Sequence, residues 1–78
     1  MGMVFEKVKD MLPVSGNAYD GNIITQINAA VADLTKTAEI VLPGVISISK
    51  EGQTVTDNST LTDELVITAI ATWCNMRI

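Results

Sequence analysis

The last eighteen residues, LTDELVITAIATWCNMRI, read as a helix that is apolar around most of its circumference. At about 100° per residue, Glu64, Thr68, Thr72 and Asn75 form a polar stripe only about 80° wide. Leu65, Val66, Ile67, Ala69, Ile70, Ala71, Trp73, Cys74, Met76 and Ile78 occupy the remainder. A helix with that distribution is covered on more than one side. The chain has only 78 residues, and a domain of this size buries only roughly 60% of its unfolded surface. Small domains compensate with disulfides, a metal or assembly. Cys74 is the only cysteine and there is no histidine, so an internal disulfide is excluded and a tetrahedral zinc shell has no donor set. Assembly is the remedy left.

The preceding segments supply one partner for that helix. VFEKVKDML places Val4, Phe5, Val8, Met11 and Leu12 three to four residues apart, and Pro13 and Gly16 end a short amphipathic helix. In NAYDGNIITQINAAVADLTKTAE, Asn17 or Asp20 caps a second helix. Its residues Ile23, Ile24, Ile27, Ala30, Val31, Leu34 and Ala38 share an arc about 120° wide. Ile40 breaks the arc, so this helix stops near Glu39. Between residues 45 and 56 the pattern changes. VISIS alternates with period two, KEGQ is a turn and TVT a second short strand, giving a small hairpin or an extended loop. Thr60 or Thr62 caps the last helix, with Asp63 and Glu64 in its first turn. The expected fold is mainly α: one domain over residues 1–78, three helices, and the hairpin or loop between the second and last.

Reaction chemistry is hard to assemble from these residues. Asp63 and Glu64 are adjacent, so their carboxylates diverge on a helix and suit the dipole better than acid–base work. Asn17, Asp20 and Asn22 lack the alternation and closing glutamate of a calcium loop. Cys74 lies in the apolar arc with no histidine to activate it, and reads as an inert thiol. Gly44 and Gly52 fit no phosphate-cradling spacing. The expectation is no catalytic, cofactor or metal site.

Nine acids against five bases give a net charge of −4. No basic cluster is available to grip duplex phosphates. The run from Leu65 to Ile78 is too short for a membrane span and is interrupted by polar residues. The N-terminal residues lack the apolar stretch of a signal peptide. A reducing, cytoplasmic setting is the default.

The order FEKVKDMLPVSG, YDGNIITQINAAVADL, a variable middle and DELVITAIATWCNMRI resembles the small head–tail connector (adaptor, or head-completion) proteins of tailed bacteriophages and prophages. Ile27, Ala30 and Leu34 match that family's I-x-x-A-x-x-x-L pattern. Ile67, Ala69, Ile70 and Trp73 match its L-x-x-A-I-x-x-aromatic pattern in character. The resemblance implies a structural, non-enzymatic subunit of the virion neck, assembled in the bacterial host cytoplasm. It implies a homo-oligomeric ring between the portal protein and the tail-completion protein, through which DNA passes without sequence-specific binding. Members continue past the position of Ile78 into a polar tail, so a chain truncated at its C-terminus is expected. The alternative is a small dimeric regulatory or antitoxin-like helical protein. For either, Leu65, Ile70 and Trp73 are expected to join Ile27, Val31 and Leu34 in the protomer core. Ile67, Ala71, Cys74 and Ile78 are expected at the oligomer interface.

Overall fold

A computed structural model describes residues 2–14, 16, 18–37, 39 and 41–77. In chain order they form α1 (Val4–Asp10), α2 (Asp20–Lys36), β1 (Ile48–Glu51), β2 (Thr54–Asp57) and α3 (Glu64–Asn75). This is the expected mainly α domain, and the middle segment is an antiparallel hairpin rather than an extended loop. The proposed roles of Asn17, Ala38, Ile40 and Ile78 lie outside the described residues.

The core is aliphatic, as three aromatics in the whole chain require. Val4, Phe5, Val8 and Leu12 from the first segment meet Ile23, Ile27 and Ala30 of α2 and Ile67, Ile70, Ala71 and Cys74 of α3. Leu61 joins them from the segment before α3. On α2, Ile24, Val31 and Leu34 flank the buried row and are only partly covered. Met11, placed by spacing on the buried face of α1, lies past the end of that helix and is exposed.

Two helix starts differ from expectation. Asp20 is the first residue of α2 rather than its cap. Its carboxylate is buried and accepts from Lys9 Nζ at 2.6 Å, which ties α2 to α1. For α3 the cap is Asp63, not Thr60 or Thr62, and its Oδ1 accepts from the N–H groups of Leu65 and Val66. Both carboxylates sit where a helix N-terminus favours negative charge. Past the end of α2, Glu39 takes φ +54°, the left-handed conformation that turns many chains away from a helix.

The hairpin begins later than alternation suggests, because its turn is Gly52-Gln53 alone, with Glu51 opposite Thr54. Gly52 has φ +61° while Gln53 keeps a negative φ, the pattern of a type II′ turn, whose first central position favours glycine. Regular pairing stops at Ile48–Asp57, yet the chains stay together in the same register. Asn58 N–H donates to Ser47 O at 2.8 Å and Thr60 N–H to Val45 O at 2.8 Å. The reciprocal bonds go to hydroxyls: Ser47 N–H donates to Ser59 Oγ and Val45 N–H to Thr60 Oγ1. Side-chain oxygens thus replace backbone carbonyls, as serine and threonine do where they compete with a ladder. This close approach demands Gly44, where an added Cβ would lie 2.7 Å from Leu61 Cα and 2.8 Å from its nitrogen.

The far end of the hairpin supplies what α1 lacks. Met3, at the cap position, has no side-chain acceptor to offer. Asp57 does the work from across the fold: Oδ2 accepts from Phe5 N–H and Oδ1 from Ser59 N–H, both at 2.9 Å. Its carbonyl accepts from Gly2 N–H at 2.8 Å. Burial pushes the Asp57 carboxyl pKa up, but hydrogen bonds from the Ser59 side chain and from the Phe5, Ser59 and Val4 backbones together outweigh it and hold the pKa below the ordinary 3.8. The folded state therefore binds this proton less readily than the unfolded chain. The stabilisation is complete above the unfolded value and is lost as pH falls through the folded one.

Two outcomes follow from this architecture. Gly44→Ala is expected to lower stability by about 1–3 kcal/mol, because backbone rather than a flexible side chain must move; urea denaturation measures it. Asp57→Ala is expected to cost about 1 kcal/mol at neutral pH. That difference shrinks as the pH of the titration is taken below 3.8. A pH-independent difference would mean that Asp57 acts through packing instead of charge.

Candidate functional site

Two surfaces stand out: the outward side of α3 and a groove between α1 and β2. The orientation of α3 decides the first. Ile67, Ile70, Ala71 and Cys74 face inward and are buried. Leu65 is 84% exposed, Met76 is 76% exposed, and Ala69 lies exposed between them. At 3.6 residues per turn this outer row is about 170° from the centre of the buried one. The division into two sides expected from sequence is therefore not the observed one: one side, with Ile70 from the expected core and Ile67, Ala71 and Cys74 from the expected interface, is buried. Ile67, Ala71 and Cys74 belong to the protomer core and offer no subunit contact, while Leu65 is not a core residue. Ile70 and Ile27 are buried as expected, with Val31, Leu34 and Trp73 partly so.

Two polar contacts sit at opposite margins of the buried side. Lys7 Nζ meets Glu64 Oε1 at 2.6 Å, joining the first turn of α3 to α1. Trp73 Nε1 donates to Asp33 Oδ2 at 3.0 Å, joining its last turn to α2. Together they brace the orientation in which Ile67, Ile70 and Cys74 are buried. The hydrogen bond from Lys7 and then its charge lower the Glu64 pKa. Trp73 is further held by Arg77, whose guanidinium stacks 3.5 Å from the ring centroid and donates to the Trp73 carbonyl at 3.2 Å. It is an inter-helix anchor at the rim of the core.

Between residues 65 and 76 there is no charged side chain. The outer side of α3 therefore combines Leu65, Ala69 and Met76 with Thr68 and Thr72, all neutral and exposed. Neither neighbouring element covers it, since α1 and α2 pack on the other side.

The groove has the opposite character. It is open, encloses about 1030 Å³, and runs between the exposed side of α1 and the whole of β2. Glu6, Asp10, Asp20 and Asp57 line it, with Lys9 as the one cation among the lining residues. Lys9 is committed to Asp20 and lies 5.7 Å from the Phe5 ring centroid. The signal in sequence that marks this region is Asp57-Asn58-Ser59, an Asx-type turn in which the first carboxylate accepts from the third residue's N–H. Spacing alone did not single out Asp57.

Among the described residues no three metal-ligating side chains converge, and no buried side-chain nitrogen or oxygen lacks a hydrogen-bond partner. No helix of the described residues is long and apolar enough to cross a membrane. Compared with family models, with curated proteins and with solved structures, the chain matches none.

Cys74 is buried, and desolvation raises its thiol pKa, offset in part by the charge of Arg77. A raised pKa and burial both suppress thiolate chemistry. Ellman's reagent is therefore expected to leave the native protein unmodified at neutral pH and to titrate one thiol in denaturant. Rapid native labelling would place Cys74 on the surface.

Proposed function

We propose that this protein is a non-catalytic assembly subunit that builds a homo-oligomeric ring, acting as a head–tail connector in the neck of a tailed bacteriophage. The observation that carries this reading is the neutral, exposed row Leu65–Ala69–Met76 on a chain of net charge −4. Copies of a negatively charged protein repel one another, and self-association is easiest through a face that brings no charge out of water. Here that face is also apolar. Its burial against a second copy removes Leu65 and Met76 from water without breaking either polar contact that orients α3.

The resemblance of the helical segments to head–tail connector proteins supplies the specific setting. In that setting the ring sits between portal and tail, and the acidic character suits a passage that lets DNA through without holding it. An interface made of a single helix side is heterologous when it packs against a different patch of the next copy, and a rotation that closes gives a ring. Val41 and Val45, both exposed in the segment before the hairpin, are apolar candidates for that second patch.

Native mass spectrometry of the protein alone, and of the protein mixed with portal assemblies from the same genome, tests the reading. Rings, or saturable capture on the portal, are expected. The double substitution Leu65→Glu and Met76→Glu adds charge at exposed positions, where folding stability changes by only about 0.5 kcal/mol. It is expected to weaken self-association on the order of 100-fold, since like charges oppose across the contact. A monomer at high concentration that ignores the portal would overturn the proposal, and a two-fold dimer with the same indifference would favour the regulatory alternative.

A further inference from the structure

Beyond Asp57, whose carbonyl is taken by Gly2, the outer edge of β2 is open at Val55 among the described residues, and that edge forms one wall of the acidic groove. The register fixes which backbone groups point there. Glu51 opposite Thr54 closes the two-residue turn, so Thr54 and Thr56 direct their N–H and C=O groups at β1. Val55 and Asp57 direct theirs the other way. The Asp57 carbonyl shows this directly, because it accepts from Gly2 N–H on the side away from β1. Val55 therefore presents both a donor and an acceptor to the groove, one position further along the same edge. No described residue meets either group.

Such an edge is a template for another strand. Protein edges are commonly blunted by proline, a bulge or an exposed lysine, and β2 (TVTD) carries none of these. Glu6 and Asp10 stand exposed on the α1 wall, where side chains of an added strand would reach. Asp20 is paired with Lys9 and Asp57 with backbone N–H groups, so the exposed carboxylates of Glu6 and Asp10 select the chemistry of the occupant. A second copy adding through β2 would bring its own Glu6 and Asp10 against these, and nucleic acid would bring phosphates. Lysine or arginine side chains on an extended chain meet the charge instead.

We propose that the groove between α1 and β2 binds a short, extended, basic peptide segment of a partner protein. The segment adds to β2 as a third strand through both polar groups of Val55, and its basic side chains pair with Glu6 and Asp10. The four residues of β2 give a length of contact of about 13 Å at roughly 3.3 Å per residue, enough for about four residues of the added segment. This surface is separate from the outer row of α3, so the inference stands or falls independently of ring formation.

The test uses an end-capped six-residue peptide alternating lysine and valine, titrated into isotope-labelled protein and followed by NMR. Saturable shifts centred on β2 and α1 are expected, with at least tenfold slower hydrogen exchange of the Val55 amide. The same peptide with glutamate in place of lysine is expected to produce neither effect. Glu6→Gln with Asp10→Asn is expected to weaken binding about tenfold and leave the spectrum of the fold intact. Val55→Pro deletes the edge donor without touching a bond to β1, and is expected to abolish the slowed exchange of the neighbouring edge while Thr56 stays protected. If Val55→Pro unfolds the hairpin, the charge variant carries the test alone. Shifts scattered over all acidic residues with no protection at Val55 would overturn the proposal. Concentration-dependent protection of Val55 without peptide would overturn it in favour of a second copy.

Discussion

The fold depends on one carboxylate reaching across the molecule. Asp57 ends β2, and its side chain takes a backbone N–H from the first turn of α1 and another from Ser59. Its carbonyl holds Gly2. Seven residues are too few to hold a helix on their own in water, so α1 exists because it packs on α2 and α3 and because Asp57 satisfies its leading end. The same residue holds Ser59 just past the end of β2, on the segment that leads to Leu61 and the core. A neutral side chain of the same size could fill the space, but would give up the favourable meeting of a negative charge with a helix N-terminus. Gly2 is required for the same reason: a Cβ there would lie 2.5 Å from Asp57 Oδ1.

What the sequence makes legible follows from how local each signal is. The three helices announce themselves by period, though the first ends at Asp10, before the expected Met11 and Leu12 and ahead of Pro13 and Gly16. The hairpin is visible from alternation and a glycine, though its position is blurred because Ser59 and Thr60 extend the pairing with hydroxyls that no strand pattern describes. The sidedness of α3 was misread for a clear reason. Its wheel is apolar over most of its circumference, and the contacts that brace one orientation come from Lys7 and Asp33, residues 57 and 40 positions away from their partners. Asp57 was missed for a similar reason, since a cap supplied by a distant strand leaves no motif beside the helix it caps.

The surface is divided by charge in a way that follows from these contacts. Rotation of α3 by half a turn would have exposed Ile67, Ile70 and Cys74 and turned Thr68 and Thr72 inward with Leu65 and Met76. The observed rotation puts the isoleucines within, where stiff side chains pack with little entropy to lose. The groove between α1 and β2 is lined instead by Glu6, Asp10, Asp20 and Asp57 against Lys9. One side of the molecule is thus neutral and apolar and another is negative, which keeps the two kinds of contact from competing for the same partner.

The span between Phe5 and Asp57, 52 positions along the chain, also sets an order of events during synthesis. The N-terminal residues leave the ribosome first, yet the group that caps their helix emerges when most of the chain has already been made. The nascent chain therefore carries an unfinished start, with Val4, Phe5 and Val8 waiting for α3 to cover them and for Asp57 to cap their helix. Contacts of such long range are made late and cost loop entropy before they return any stability. For this protein the beginning of the sequence is among the last parts of the fold to close.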